Sequence, residues 1–143
     1  MTTITVRSHG KYRQEIVADD HTFWADEPAS IGGQDTAANP YALLLGSLGA
    51  CTSITLEMYA RRKKWPLEGI EVELSHRKDY AQDCERCDEN EARIDVVDIK
   101  IKLFGPLDDD QHARLQDIAH RCPVSQTLSK GMQIEHHEER VHA

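Results

Sequence analysis

The chain has 143 residues, of which 39% are hydrophobic and 29% are charged, a balance typical of one soluble globular domain. Its formal net charge of -8 argues against a nucleic-acid partner, and no basic run is longer than residues 61–64. The apolar run Tyr41–Ile54 is shorter than a bilayer-spanning helix and the first residues lack an apolar signal core, so we predict a cytoplasmic protein without a membrane partner.

Residues 1–38 are predicted to form three short strands and a loop. Thr2–Val6 alternates β-branched side chains, and after a turn Tyr12–Val17 pairs back as a hairpin. His21–Ala25 is predicted as a third strand. Proline, two glycines and small polar residues predict that Asp26–Ala38 is a loop leading directly into the next element.

A long central helix is predicted over Asn39–Trp65. Asn39 suits the N-cap because its side chain accepts bonds from free amides, and Pro40 suits the first helical position. Cations near the end match the negative end of the helix dipole, and Pro66 stops the helix. Because the helix is apolar or small almost all the way round, we expect it to be buried. Four small residues predict close approach of another backbone: Gly46, Ser47, Gly49 and Ala50.

Two long strands are predicted after the central helix. Gly69–His76 and Arg93–Phe104 each alternate apolar and polar side chains, and we expect them to pair antiparallel. The connection between them carries Cys84 and Cys87 among several acidic residues.

The rest of the chain is predicted to hold helical segments and a last strand. Asp108–Asp110 charges the start of a helix that runs to about Arg121. A short helical turn follows through Leu128, and Met132–His136 is predicted as a strand. The order β-β-β-α-β-β-α-β indicates a single α+β domain over residues 1–143, with the central helix packed across a sheet.

Cysteines in a reducing compartment are expected to be free, metal-bound or redox-active. Cys122 precedes Pro123 and therefore falls at a predicted N-cap, where free amides and the helix dipole favour a thiolate. Cys51 lies in the apolar helix, where burial raises the pKa of a thiol, so it becomes a nucleophile only if a cation reaches it. A lone cysteine in such a helix is more often a packing residue.

The second pair of cysteines, Cys84 and Cys87, leaves three interpretations open. Nearby carboxylates raise thiol pKa values, which argues against a thioredoxin-like motif. A zinc site would use His76 as third ligand, although only half of such a site is visible. The other two interpretations are a reversible disulfide and solvated loop thiols, and the last is the default.

Two segments carry a family resemblance. The run NPYALLLGSLGACTS at residues 39–53, followed by CPVSQTL at residues 122–128, resembles the osmotically inducible protein C / organic hydroperoxide resistance (OsmC/Ohr) family. HTFWADEP, RRKKWP and the two long strands fall in the same order, so the resemblance covers nearly the whole chain. It is nearer to the OsmC-like branch than to the peroxidases that named the family. It implies an OsmC-like α+β fold and an intertwined homodimer whose active sites are built across both subunits.

The resemblance implies a thiol peroxidase of the oxidative stress response that reduces organic hydroperoxides. Cys51 corresponds to the reactive cysteine and Cys122 to the resolving one, so a sulfenic acid on Cys51 would condense with Cys122 to a disulfide. No bound cofactor is implied; an external dithiol, typically a lipoyl group in the family, would reduce the disulfide by exchange. An apolar pocket around Cys51 would favour alkyl hydroperoxides.

Two positions depart from the peroxidase pattern. The peroxidases carry a glutamate after the Asn-Pro pair that orients the activating arginine. This chain has Tyr41 there, a candidate site residue whose hydroxyl could hydrogen-bond a peroxide or thiolate but cannot form that salt bridge. The arginine has three candidate matches, Arg7, Arg13 and Lys11. The alternative function is therefore a non-catalytic OsmC-like dimer that binds an apolar small molecule in the same cleft.

Overall fold

The fold is of the predicted α+β class. A computed structural model describes residues 2–80 and 93–141. The elements are β1 (Thr5–Ser8), β2 (Gln14–Ala18), β3 (His21–Ala25), a 3₁₀ turn (Ala29–Ile31), α1 (Pro40–Lys63), β4 (Gly69–Tyr80), β5 (Arg93–Phe104), α2 (Asp109–Ala119) and α3 (Pro123–Lys130). The chain forms two compact units, a first unit of Met1–Gly49 and Glu73–Lys100 and a second unit of Ala50–Val72 and Ile101–Ala143.

In the first unit, β1, β2 and β3 form an antiparallel sheet in sequence order. Arg7 lies opposite Glu15 on the first pair of strands, and Glu15 lies opposite Trp24 on the second. The first two strands begin later in the chain than predicted, because the turn between them extends to Arg13. The third strand has the predicted bounds.

The loop that leads into α1 is fixed by Asp26, which is almost completely buried. Its carboxylate accepts hydrogen bonds from the Thr36 hydroxyl at 2.5 Å, the Thr36 amide at 3.0 Å and the Glu27 amide at 2.7 Å. The bond from the Thr36 hydroxyl and the two backbone bonds lower the pKa of Asp26 to about 2. The segment before the helix therefore has a defined conformation although its composition is that of a loop.

α1 has the predicted caps, and its last turn adds a feature that was not predicted. The Asn39 side chain accepts a bond from the third amide of the helix at 2.8 Å. At the other end Lys64 has a φ of 59°, and the amides of Lys64 and Trp65 bond to the carbonyls of Arg61 and Ala60. This is a Schellman ending, in which a lysine occupies the left-handed position that glycine usually fills.

The expectation that α1 is buried all round is wrong for the single chain. Only 22% of the residues in its most apolar window are buried. One side of the helix is buried through Leu48, Thr52, Leu56 and Ala60. Large apolar side chains are exposed elsewhere on it: Tyr41, Leu44, Ile54 and Met58. The helix thus has two differently exposed sides although both are apolar in sequence.

By length and composition alone α1 could cross a membrane, since it has 24 residues and a window with a mean hydropathy of 1.3. The prediction that the apolar run is too short fails on this measure, because the helix extends well beyond Ile54. The core helix of a soluble protein passes the same test. Such a helix is mostly buried, whereas α1 is only partly buried in the single chain, although its Leu56 and Ala60 belong to the core cluster of the second unit.

The core of the second unit joins α1 and α2 to the paired ends of β4 and β5. The buried cluster consists of Leu56, Ala60, Leu115, Ile118 and Ala119. Strand side chains that pack against it include Ile70, Ile101 and Leu103. β4 and β5 pair as predicted, and Lys102 lies 3.6 Å from Glu71 across the two strands.

The close approach predicted for the small residues of α1 is found at Gly49, but its partner is different. A Cβ at Gly49 would lie 2.7 Å from Cδ1 of Leu74, a residue of β4 in the same first unit. The glycine therefore admits a side chain of the same chain, and not another backbone. A Cβ at Gly46 would have no heavy atom of the described residues within 4 Å.

The segments after β5 match the predicted helices but not the predicted strand. Asp108 caps α2 in a capping box with Gln111, and α3 follows from Pro123. Residues 131–141 form neither helix nor strand within the described part of the chain, so the strand predicted at Met132–His136 is wrong. Strand propensity is expressed only where a neighbouring strand offers its backbone, which this segment does not have in the described chain.

Candidate active site

Cys122 lies at the N-cap of α3, as the sequence predicted. Pro123 takes the first helical position, and the amide of Ser125 donates to the Cys122 sulfur at 3.5 Å. The residue is fully buried. A sulfur at this position faces amides that have no partner inside the helix.

Cys51 meets Cys122 inside the second unit. Cys51 is half-buried on α1, and it lies near enough to Cys122 that each thiol shifts the pKa of the other. The Thr55 hydroxyl donates its proton to the carbonyl of Cys51 at 2.8 Å. The structure therefore brings together two cysteines that lie roughly seventy residues apart in the sequence.

The pKa values of the two thiols are shifted in opposite directions. Burial and then the hydrogen bond with Cys122 raise the pKa of Cys51 above its ordinary value. Burial also works against a thiolate at Cys122, but hydrogen bonds from Cys51, the Ser125 amide and the Thr52 hydroxyl outweigh it and lower the pKa of Cys122. The direction of the Cys122 shift agrees with the predicted N-cap environment, and the direction of the Cys51 shift agrees with the expected effect of burial; the reactivity of both thiols stays a prediction.

The candidate arginines lie in the first unit and differ in their surroundings. Arg7 is exposed and its Nη1 lies 3.6 Å from a carboxylate oxygen of Glu15. The guanidinium carbon of Arg13 lies 4.0 Å from the centre of the Trp24 ring, in a cation–π contact. The Arg13 Nε is buried and has no hydrogen-bond partner among the described residues. Lys11 is exposed in the turn, with a φ of 52°.

Tyr41 stacks on a histidine of β4. The ring centres of Tyr41 and His76 are 4.9 Å apart with an angle of 21° between the planes. The Nε2 of His76 lies 2.8 Å from Oδ1 of Asp95 on β5. The residue that replaces the glutamate of the peroxidases is therefore occupied by an aromatic contact inside the first unit.

The second cysteine pair cannot be placed. Cys84 and Cys87 lie outside the described residues, so the zinc, disulfide and solvated-thiol interpretations stay predictions. His76, the proposed third zinc ligand, is paired with Asp95. No group of three or more potential metal ligands occurs in residues 2–80 and 93–141.

A cavity of about 250 Å³ lies in the first unit, and Cys51 is not among the residues that line it. The apolar pocket expected around Cys51 therefore stays a prediction. The cavity is lined by Tyr12, Gln14, Ala25, Asp26, Glu27 and Pro40.

Sequence reasoning missed Thr52. It is buried, and it helps to lower the pKa of Cys122. In sequence it is one small residue among many in an apolar helix, and nothing marks it as a partner of a cysteine on another helix.

Comparison with known proteins assigns the family. The family model described as OsmC-like protein matches residues 33–137, most of the chain. No curated protein matches the chain at a comparable level. Among solved structures, a proposed osmotic stress induced and detoxification response protein from Psychrobacter arcticus is 26% identical, with a TM-score of 0.68 over 88% of this chain and 87% of that one.

Two further structures share the fold at lower identity. An OsmC-like protein from Mycoplasma pneumoniae is 17% identical, with a TM-score of 0.70 over 90% of this chain and 87% of that one. An organic hydroperoxide resistance protein from Vibrio cholerae, with captopril bound in one of its active sites, is 23% identical with a TM-score of 0.59 over 88% and 82% of the two chains. The predicted family is confirmed, and with it the predicted fold class.

Proposed function

We propose, from the premise that the chain belongs to the OsmC-like family, that it is a thiol peroxidase that reduces organic hydroperoxides through Cys51 and Cys122. One observation carries the proposal: these two cysteines are close enough for each thiol to shift the pKa of the other, and one is half-buried while the other is fully buried. The resolving step of a two-cysteine peroxidase needs such a contact, because the second sulfur must reach the first.

In the proposed chemistry the half-buried Cys51 and the buried Cys122 have different roles. Cys51 attacks the terminal oxygen of the hydroperoxide, the O–O bond breaks, and the alkoxide leaves as an alcohol after taking one proton. Cys51 is then a sulfenic acid. Cys122 attacks its sulfur, a disulfide forms, and hydroxide leaves. An external dithiol, of the lipoyl type, returns both cysteines to the thiol state and is oxidised to its own disulfide.

Arg13 is the stronger candidate for the cation that activates Cys51. Arg7 already faces Glu15 across the hairpin, whereas the buried Nε of Arg13 has no bond among the described residues. A buried donor of this kind calls for a further partner. In the proposed intertwined homodimer, that partner would be supplied by the site of the other subunit. The Trp24 ring would hold the guanidinium in place while it reaches the site.

A second candidate function rests on a specific observation. The pKa of Cys51 is raised, first by burial, and a raised pKa is typical of an inert packing thiol. The large exposed apolar side chains of α1 could equally cover an apolar small molecule in a dimeric cleft. In that case the protein would bind such a molecule without turning it over.

The test is peroxide-dependent disulfide formation. Variant Cys84→Ser/Cys87→Ser removes the second pair, and cumene hydroperoxide should then convert Cys51 and Cys122 to a disulfide that intact mass detects. Hydrogen peroxide should react more slowly, and adding Cys51→Ser should abolish the reaction. Adding Arg13→Gln should slow it, while the matched variant Arg7→Gln should not. A chain in which Cys51 stays reduced with cumene hydroperoxide is not a peroxidase, and the binding function would then hold.

A further inference from the structure

We infer that the cavity of the first unit binds a small organic cation of the alkylammonium class, with Glu27 facing its charged group and Tyr12 covering it. Both residues line the cavity, and the whole site lies within the first unit. The inference goes beyond the proposed peroxidase function, because it uses neither cysteine of the candidate active site.

The nearest arginine of the hairpin lies away from the cavity. Gln14 and Ala25 are directly opposite each other on β2 and β3, and both line the cavity. Trp24 precedes Ala25, and successive side chains of a strand point to opposite faces of the sheet. The guanidinium carbon of Arg13 lies 4.0 Å from the centre of the Trp24 ring and is therefore on the other face. No cationic residue of the described chain lines the cavity.

The wall of the cavity carries a negative charge that has no counter-ion. Asp26 is 1% exposed, and its carboxylate accepts bonds from neutral groups, the Thr36 hydroxyl and the amides of Thr36 and Glu27. It forms no ion pair within residues 2–80 and 93–141. With a pKa of about 2, the carboxylate is ionised at neutral pH. A buried ion is costly without a counter-ion, so a cation in the adjacent space would stabilise it.

A second carboxylate is available to meet that cation. Glu27 is half-buried, and its side chain has no hydrogen bond or ion pair to any described residue. Its backbone is held in the loop, since its carbonyl accepts the Asp35 amide at 3.0 Å. Two carboxylates on a wall without a cation attract positive charge and repel negative charge.

Tyr12 adds an aromatic surface at the cost of an unfavourable backbone conformation. Its φ is 71° beside 52° at Lys11, and the Arg13 amide donates to the Gly10 carbonyl at 3.1 Å, which makes a type I′ turn. A bulky residue is uncommon at these positions. The Tyr12 ring reaches the loop before α1, since a Cβ at Gly32 would lie 3.1 Å from its Cε2. Such strain is found at ligand sites, and an aromatic ring attracts cations.

These features favour an alkylammonium ion over other cations. Its N–H groups suit carboxylate oxygens, and its alkyl chain suits Ala25 and Pro40, the apolar residues of the wall. A metal ion would gain nothing from this apolar surface. The volume of about 250 Å³ is below the roughly 300–1,000 Å³ typical of ligand pockets, so the ligand should have few carbon atoms.

Butylammonium chloride is the probe, and sodium butyrate and butanol are controls of equal chain length with negative or no charge. In proton–nitrogen correlation NMR spectra of the reduced wild-type chain, butylammonium should shift the Tyr12 and Glu27 amides saturably, and the controls should not. Glu27→Gln should weaken binding about tenfold through the loss of a charged hydrogen bond. Glu57→Gln, at an exposed carboxylate of the second unit, is the matched control and should bind like wild type. Tyr12→Leu should weaken binding about threefold, since leucine has no aromatic face.

Several results would overturn the inference. These are the absence of a saturable shift, equal binding of butanol, and a Glu27→Gln variant that binds like wild type. Calcium chloride that shifts the same amides at lower concentration would also overturn it, because the site would then be a metal site. If Glu27→Gln fails to fold, unchanged binding in Tyr12→Leu decides against it. No peroxide is present, so the result is independent of whether Cys51 reacts with hydroperoxides.

Discussion

The exposed apolar side of α1 predicts that the chain is a homodimer through this helix, and Ile54→Glu is the substitution that tests it. Ile54 is 53% exposed in the single chain. Full burial of an isoleucine side chain is worth about 1.5–3 kcal/mol, so covering the exposed half contributes about 1 kcal/mol per chain. Because a two-fold interface contains Ile54 from both chains, the two copies together contribute about 2 kcal/mol to the free energy of dimerisation. Their loss should raise the dissociation constant of the dimer roughly 30-fold. A buried glutamate adds a further cost.

Sedimentation velocity over a concentration series measures this effect. Wild type should be dimeric at micromolar concentration, and Ile54→Glu should shift the equilibrium to monomer. Ile31→Glu is the matched control, because Ile31 is 60% exposed but lies in the 3₁₀ turn. A monomeric wild type, or an Ile54→Glu variant that dimerises like wild type, would refute the reasoning.

The structure also changes which glycine tests the interface. Gly49 is one of the small residues of α1 from which the sequence predicts a close approach. A side chain at Gly49 would collide with Leu74 of the same chain, so Gly49→Leu would destabilise the fold itself. Gly46→Leu is the discriminating variant, since the space around Gly46 is open within the described residues. It should weaken the dimer while leaving the monomer folded.

Three further predictions concern single positions. Lys64→Gly should stabilise the chain by about 0.5–1 kcal/mol and raise its melting temperature, because glycine has no steric cost at the left-handed end of α1. Lys63→Gly, inside the helix, should lower the melting temperature. Equal effects of the two substitutions would contradict the Schellman ending. Asp26→Asn should destabilise the chain at neutral pH. Because the folded pKa of about 2 lies below the usual 3.8, the stabilisation by the carboxylate is lost as the pH falls from 3.8 towards 2, and the difference in melting temperature from wild type should shrink over this range. A difference that keeps its full size at pH 2 would contradict the carboxylate's role. Tyr41→Glu should speed cumene hydroperoxide turnover if an arginine reaches the site. Tyr41→Phe is the control, because it keeps the stack on His76 and should leave the turnover unchanged. Slower turnover in Tyr41→Glu would make Tyr41 part of the site.

Local signals in the sequence predicted most of the element boundaries. Asn39 with Pro40, Asp108, and Cys122 with Pro123 each start a helix at or beside the predicted residue, because capping depends on neighbours in the chain. β3 and β5 also have the predicted bounds. The strand at Met132–His136 failed because pairing depends on a distant backbone that propensity does not describe.

Features that depend on packing could not be predicted. α1 is apolar on every side, so its sequence has no polar face that would reveal which side meets the core and which stays exposed. The contact between Cys51 and Cys122 joins two helices that are distant in sequence, and the family resemblance supplied that pairing. The partner of Gly49 follows from side-chain geometry alone.

For the proposed peroxidase, the unequal exposure of Cys51 and Cys122 also predicts which sulfur the reductant attacks. In a disulfide between Cys51 and Cys122, an incoming thiolate would meet the half-buried Cys51 sulfur, since the Cys122 sulfur is fully covered. The mixed disulfide would then form on Cys51, and Cys122 would be the leaving group. A thiol of lowered pKa leaves faster, so the donors that gather around Cys122 would speed this exchange as well. If the proposed reaction holds, the surface that an external dithiol would recognise is therefore the one around Cys51.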